Sequence, residues 1–186
     1  MKKIISIQLL LAALIFIGFF LFVKFNTIKT NRVEGESYSK TINIQNEYKN
    51  KPVPDSLFEV FNDQEIDFTH PKLVFRFSQV YCGTCVTREI RLISKFANKI
   101  GWGNIVFLAT NRDNEELKRF QKVSGVESPM LNISFDFFEI DKEPLDTPYM
   151  FILDSDTIFK ELFISTKEIE ERTQLYLNRI SNYFEQ

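Results

Sequence analysis

The chain predicts an α/β sandwich, with strands covered by helices on both faces, set behind an N-terminal transmembrane helix. Three observations carry that expectation. Short apolar runs suited to buried strands alternate with amphipathic helical stripes. An unbroken apolar segment opens the chain. The only two cysteines among 186 residues fall in Tyr81-Cys82-Gly83-Thr84-Cys85, where an apolar run (Leu73, Val74, Phe75, Phe77) passes into a helix.

Ile4 to Val23 is a run of 20 residues whose only polar side chains are Ser6 and Gln8. At about 1.5 Å per residue such a helix crosses a hydrocarbon core of about 30 Å. A secretory signal has an apolar stretch of about 7–15 residues and a small-x-small cleavage site, whereas this one runs through Phe19, Phe20, Leu21 and Phe22 into Lys24. The expectation is an uncleaved signal anchor over 1–25, a cleaved signal peptide being the alternative. Lys2 and Lys3 precede the segment while Lys24, Lys29 and Arg32 follow it, so charge alone does not orient it. Residues 26–54 are polar and turn-rich and read as a flexible tether. Residues 55–186 are the size of one domain.

The chain carries 23 basic against 25 acidic side chains, a net charge of −2. Lys2 and Lys3 stand before the apolar segment, so the remainder of the chain is more acidic still, which argues against a nucleic-acid partner.

Within the domain, Phe58, Val60, Ile66 and Phe68 alternate with polar residues around Asn62-Asp63, predicting a short hairpin. Leu73 to Phe77 is a strand after Pro71. Beyond Cys82, Val86, Ile90, Ile93, Ala97 and Ile100 recur at helical spacing, with Arg88, Arg91, Lys95 and Lys99 on the opposite, solvated face. Gly101-Trp102-Gly103 ends that helix. Ile105 to Ala109 suits a buried parallel strand, and residues 111–124 a helix. Tyr149 to Leu153 is a further buried strand, turning at Asp154-Ser155-Asp156 into a hairpin partner over Thr157 to Phe163. Ser165-x-x-Glu168 has the form of a capping box before a last helix whose apolar face is Ile169, Tyr176, Ile180 and Tyr183.

A Cys-x-x-Cys at a strand-to-helix junction places the first sulfur at a helix N-terminus, where unpaired N–H groups and the macrodipole stabilise a thiolate. Cys82 is therefore the expected nucleophile. Cys85, one turn further on the same side, is the expected resolving thiol. A structural zinc site needs about four ligands, and the chain adds only His70 to the two cysteines, so no metal is expected. A purely structural disulfide across two residues constrains little of the unfolded chain.

The order of strand, Cys-x-x-Cys at a helix start, βα unit, Thr147-Pro148 before a strand hairpin, and a last helix resembles the thioredoxin-like fold. With the anchor and the preceding Phe58-x-Val60 hairpin it is similar to the membrane-anchored TlpA/ResA-type branch of thiol–disulfide oxidoreductases. That resemblance, covering roughly residues 55 to 184, implies a three-layer α/β/α sandwich with a central mixed sheet. It implies that Cys82 attacks, Cys85 resolves, and a cis-proline loop at Thr147-Pro148 faces them and, with Tyr81, binds substrate. From the residues alone Pro148 could equally be a trans proline opening a strand. Three positions depart from the thioredoxin pattern: Tyr81 stands for the usual Trp, Thr84 for the usual Pro, and Arg76 for the buried acid that assists proton transfer at the second cysteine. On that alignment Arg76 lies under Cys85, where a cation would stabilise the thiolate and raise the reduction potential; the equal alternative is that Arg76 reaches solvent or pairs with a surface acid.

The function these readings imply is thiol–disulfide exchange on protein dithiols or disulfides outside the cytoplasm, at a bacterial cell membrane, with an upstream redox partner and no cofactor. The alternatives are a non-catalytic thioredoxin-like adaptor and a metal-delivery protein, for which a further downstream His is wanting. A peroxidase is disfavoured by Gln79, where a Thr would precede the reactive cysteine.

Overall fold

Lys72–Ser78 (β1) is the central strand, buried along its whole length, and every other strand is ordered around it. A computed structural model describes Phe16, Phe20, Phe22, Lys24 and residues 38–185 except Phe68 and Glu168. The chain divides into two compact units, Met1–Lys40 and Thr41–Gln186. In the first, the described residues are all helical. Among the described residues no helix is long and apolar enough to cross a membrane. The anchor expected over 1–25 lies outside the described residues apart from the four named, as does the first part of the tether.

In the second unit, β1 pairs in parallel with Ile105–Thr110 (β2), which pairs in parallel with Met130–Asn132 (β3). On its other side β1 runs antiparallel to Tyr149–Leu153 (β4), and β4 to Lys160–Ile164 (β5). The resulting mixed sheet, in the order β3-β2-β1-β4-β5, fits a thioredoxin-like α/β fold.

Because side chains alternate along a strand, β1 serves two cores. Leu73, Phe75 and Phe77 face Gly83–Ile100 (α3) and Glu170–Ile180 (α5), joined by Leu117 of Asn114–Ser124 (α4). The apolar spacing expected for α3 holds: Val86, Ile90, Ile93, Ala97 and Ile100 are all buried. Asp113 caps α4 by accepting from Glu116 N–H, and Gly125, at φ 68°, closes it in the left-handed region that suits glycine.

The second core holds Val74 with Val106, Leu108, Tyr149, Phe151 and Leu153. What covers it corrects the sequence reading. Ser56–Asn62 (α2), in place of the expected hairpin, buries Leu57 and Phe61 completely. That i, i+4 pair decides the element, since a helix brings both onto one face, whereas Phe58 and Val60, which suggested alternation, are only partly buried. Residues 38–48 are helical (α1), and within the second unit Ile44, Tyr48 and Val53 join the same core. Gln45 accepts from Ile164 N–H, and Asn50 N–H donates to Phe159 O. Residues 41–54 are thus part of the domain, not tether.

Residues 133–148, to which the sequence assigned no structure before Leu145, run over this face. They include the short 3₁₀ turn Glu139–Lys142 and bury Ile133, Phe138 and Ile140. The capping box does not form. Ser165 spends its N–H on Pro148 O, its Oγ has no partner, and α5 starts later with no side-chain cap. Ile169, expected on the apolar face, is exposed, while Tyr176, Leu177 and Ile180 are buried. The basic face of α3 is exposed at Arg91, Lys95 and Lys99, with Arg91 pairing with Glu170 and Lys99 with Glu185 at the surface.

Candidate active site

At the carboxyl end of β1 the backbone turns through Gln79 and Val80, with Tyr81 N–H donating to Ser78 O, and enters α3 at Cys82. Cys82 is the N-cap of α3, and its Sγ accepts from Cys85 N–H at 3.3 Å. Its Sγ also lies 3.2 Å from Thr84 Oγ1. The first residue of the motif therefore holds the position at which helix N–H groups favour a thiolate. Cys82 and Cys85 are joined in a disulfide with Cα atoms 5.2 Å apart. Cys82 is partly exposed with Gly83 and Thr84 open to solvent beside it, while Cys85 is only 3% exposed. Of the two sulfurs, the first is thus the more open to an incoming group.

Asp146 O accepts from Cys82 N–H at 2.8 Å, which lays the segment Asp146-Thr147-Pro148 against the motif. The fold thus brings Thr147 and Pro148 to the cysteines, but with differences. Among the described residues no peptide bond is cis, so the Thr147–Pro148 bond is trans, and Pro148 opens strand β4 as an ordinary strand-initiating proline. Pro148 O is occupied by Ser165 N–H, and Thr147, itself buried, donates its Oγ1–H to Ser165 O at 2.7 Å.

Tyr81 turns inward. It is 5% exposed, and burial together with the nearby Asp141 charge pushes its hydroxyl well above the ordinary phenol range. The exposed apolar residue at this rim is instead its neighbour Val80. No periodicity signals Val80, because its exposure follows from the turn after β1.

Arg76 also departs from expectation. It points away from Phe75 and Phe77, as strand alternation requires, and so into the core opposite α3 and Cys85. There it is completely buried. Its Nε and Nη2 donate to Asp141 Oδ2 at 3.2 and 3.1 Å, and Nη1 donates to Phe77 O. Nη2 further reaches Thr110 Oγ1 and the carbonyls of Ser134 and Phe135. Asp141 also accepts from Tyr149 Oη–H and Phe138 N–H. Burial pushes the Asp141 carboxyl up, against the pull of Arg76 and these donors. Arg76 is therefore a neutralised structural cation that pins residues 134–141, not a bare charge under Cys85. Asp141 escaped sequence reading because nothing local marks a partner 65 positions away.

A groove of about 670 Å³ between α3 and α4, lined by Ile90, Arg91, Lys95, Trp102, Phe120 and Val123 among others, contains none of these site residues.

No protein-family model matches the chain, and no curated protein does. Solved structures share its general arrangement at low identity. The thioredoxin domain of a thiol-disulfide oxidoreductase from Bacteroides vulgatus matches at 15% identity and a TM-score of 0.46, over 63% of this chain and 81% of that one. A secreted Mycobacterium tuberculosis disulfide oxidoreductase homologous to E. coli DsbE matches at 13% identity and 0.45, over 63% and 86%. A cysteine-to-serine variant of PrxQ from Xylella fastidiosa matches at 10% identity and 0.48, over 73% and 96%. Similarity at this level assigns no activity; the chemistry has to come from the site itself.

Proposed function

We propose that this protein is a thiol–disulfide oxidoreductase acting on protein substrates. The observation that carries the reading is the asymmetric disulfide: a partly exposed Cys82 at the N-terminus of an 18-residue helix, bonded to a buried Cys85 one turn in. In the reducing direction the Cys82 thiolate attacks a substrate disulfide and forms a mixed disulfide. Cys85 then attacks Cys82 Sγ, the substrate leaves as a dithiol, and the Cys82–Cys85 bond closes. The same steps reversed oxidise a substrate dithiol. Exposed Asp146, held beside the motif by its hydrogen bond from Cys82 N–H, and the exposed apolar Val80 border the path of a substrate chain, with Thr147 and Pro148 buried behind them.

The test is trapping. Cys85→Ser, expressed in the native host, accumulates mixed disulfides at Cys82, and Cys82→Ser abolishes exchange. Faster alkylation of Cys85 in Cys82→Ser than of Cys82 in Cys85→Ser at neutral pH would overturn the assignment.

The reading extends to location. The apolar run 4–23 tethers the domain to a cell membrane, and substrates with lasting disulfides are met on its periplasmic or exterior side, where a partner resets the redox state. Alkaline phosphatase fused after Gln186 is then active; activity confined to a cytoplasmic reporter there sinks the topology.

A further inference from the structure

The two sides of α3 differ. Toward α5 the helix is closed: Glu89 is buried, its Oε1 accepts from Arg88 Nε and Nη2, and the hydroxyls of Ser165 and Thr173 interact with its carboxyl. Arg88 seals the outside there by donating to the carbonyls of Thr166 and Lys167. Toward α4 the helix is open. The groove of about 670 Å³ on that side falls in the range of about 300–1,000 Å³ that binding clefts occupy. Its apolar lining comes from Ile90 of α3, from Trp102 just past the helix, and from Phe120 and Val123 of α4. Val123 is 84% exposed, and Trp102 and Phe120 are only partly buried. Apolar side chains left open side by side mark an interaction surface, whereas scattered ones do not.

The polar groups around this lining have a sign. The hydroxyls of Thr87, Ser94 and Ser124 donate to the carbonyls of Gly83, Ile90 and Phe120 on their own helices and are spent. Lys95 lines the groove, is exposed, and makes no ion pair among the described residues. Arg91 pairs with Glu170 yet keeps 51% of its side chain in water. Arg119, one turn before Val123, brings a further exposed cation to the same face of α4. Glu127 is the one acid of the lining among the described residues, and it lies at the Trp102 end, where Ser128 Oγ–H donates to Trp102 O. Away from that end the rim is cationic, in a chain whose net charge is negative.

The groove also leads from the redox site. Gly83, beside Cys82, is exposed, and the space where a Cβ would stand is open to 4 Å. One turn on, Thr87 donates to Gly83 O and is the first α3 residue of the lining, which then follows the same side of the helix through Arg91 and Lys95. Lys95 stands about 20 Å along the helix from Cys82 at about 1.5 Å per residue, a span that an extended chain covers in about six residues of about 3.3 Å each. A polypeptide whose sulfur meets Cys82 and whose backbone runs past Gly83 therefore reaches the apolar lining and the cationic rim in turn.

We propose that this groove is a docking site for the substrate polypeptide, a role that rests on the exchange function. An apolar side chain about six residues from the substrate cysteine seats between α3 and α4 on Ile90, Phe120 and Val123, and acidic neighbours face Lys95 and Arg91. Docking makes the meeting of the two sulfurs an intramolecular event, so substrates are selected by the sequence near their cysteine as well as by its reactivity.

The test uses the reduced full chain in phosphatidylcholine nanodiscs and synthetic peptides whose single cysteine is carried as a mixed disulfide with thionitrobenzoate. Cys82 attacks the peptide sulfur, and the nitrobenzoate thiolate, which is coloured, leaves with the electron pair of the broken bond. The first peptide places Phe-Asp-Leu-Glu after a Gly/Ser spacer of about six residues. One control has Lys for both acids, and the other has Ser for both apolar residues. At subsaturating concentration the wild type reacts with the first peptide about tenfold faster than with either control. Lys95→Glu reverses the order of the acidic and lysine peptides. Equal rates for the three peptides in the wild type, or an acidic preference unchanged in Lys95→Glu, overturn the proposal. Failure of all three to react overturns the exchange reading instead, and Trp102, the only tryptophan, then decides the groove by itself. A saturable shift of its emission with the first peptide carrying Ser for cysteine supports docking, and no shift refutes it. A shift given by palmitate and not by that peptide assigns the groove to a small amphipathic molecule and overturns the proposal.

Discussion

Replacing Asp141 by Leu would leave the Arg76 guanidinium sealed in the core without a counter-charge. Both partners are essentially free of solvent contact, and the substitution removes the acceptor of two Arg76 N–H groups, of Tyr149 Oη–H and of Phe138 N–H. Breaking a buried pair by deleting one member costs about 3–5 kcal/mol, because an uncompensated ion remains. Domains of this kind have about 5–15 kcal/mol in all, so Asp141→Leu retains a fraction of its stability. The double variant Arg76→Met/Asp141→Leu, which removes both charges, is far less damaging than the sum of the two single changes, since well-packed apolar replacements of buried pairs are often close to neutral. Urea unfolding of the oxidised protein, followed through Trp102, the only tryptophan, measures all four corners of the cycle. A loss below about 1 kcal/mol for Asp141→Leu, or strict additivity in the double variant, would refute the claim that this pair organises residues 134–141.

Arg76→Gln is expected to lower stability while moving the Cys82–Cys85 potential by less than about 30 mV, the equivalent of about 1.4 kcal/mol; glutathione equilibration measures it, and a larger reducing shift would revive a direct action on Cys85. Phe61→Ala is expected to cost about 3–5 kcal/mol and Leu57→Ala about 2–5 kcal/mol, because both side chains are fully buried beneath the sheet; values near zero in denaturant unfolding would return these residues to a peripheral hairpin. Glu89 also predicts a pH dependence. Its carboxyl is raised in the folded state, so its contribution is fully present below the ordinary value of 4.5 and is lost as pH rises through the folded pKa. Glu89→Gln should therefore flatten the decline of stability above pH 4.5 and be neutral or stabilising at about pH 7; a steeper decline in the variant would show that the sign is wrong.

Much of the architecture around the cysteines is written in local pattern. The stripe of α3, the apolar runs of β2 and β4, the largely apolar β1 and the position of Cys82 at a helix start are all patterns that each segment carries within itself. So is the difference in exposure between the cysteines, since Cys82 caps the helix and Cys85, a turn later, lies on its buried face. The elements that misled are those whose identity is set by what they touch. Phe58 and Val60 alternate as a strand would, but Leu57 and Phe61 are drawn to a single apolar face, and helix won. Residues 41–54 are too polar to declare a core role, and only the uncovered side of the sheet gives Ile44, Tyr48 and Val53 something to bury against. The site shows the same division. Cys82 and Cys85 are neighbours in sequence and were legible. The partnership of Arg76 with Asp141, the inward turn of Tyr81, the trans bond at Pro148 and the enclosure of Glu89 by Ser165, Thr166 and Thr173 each depend on positions far apart in the chain. Such pairings follow from strand order and from which face each strand turns to its neighbours. A local period cannot encode them, so burial and charge compensation decided them only when the sheet closed.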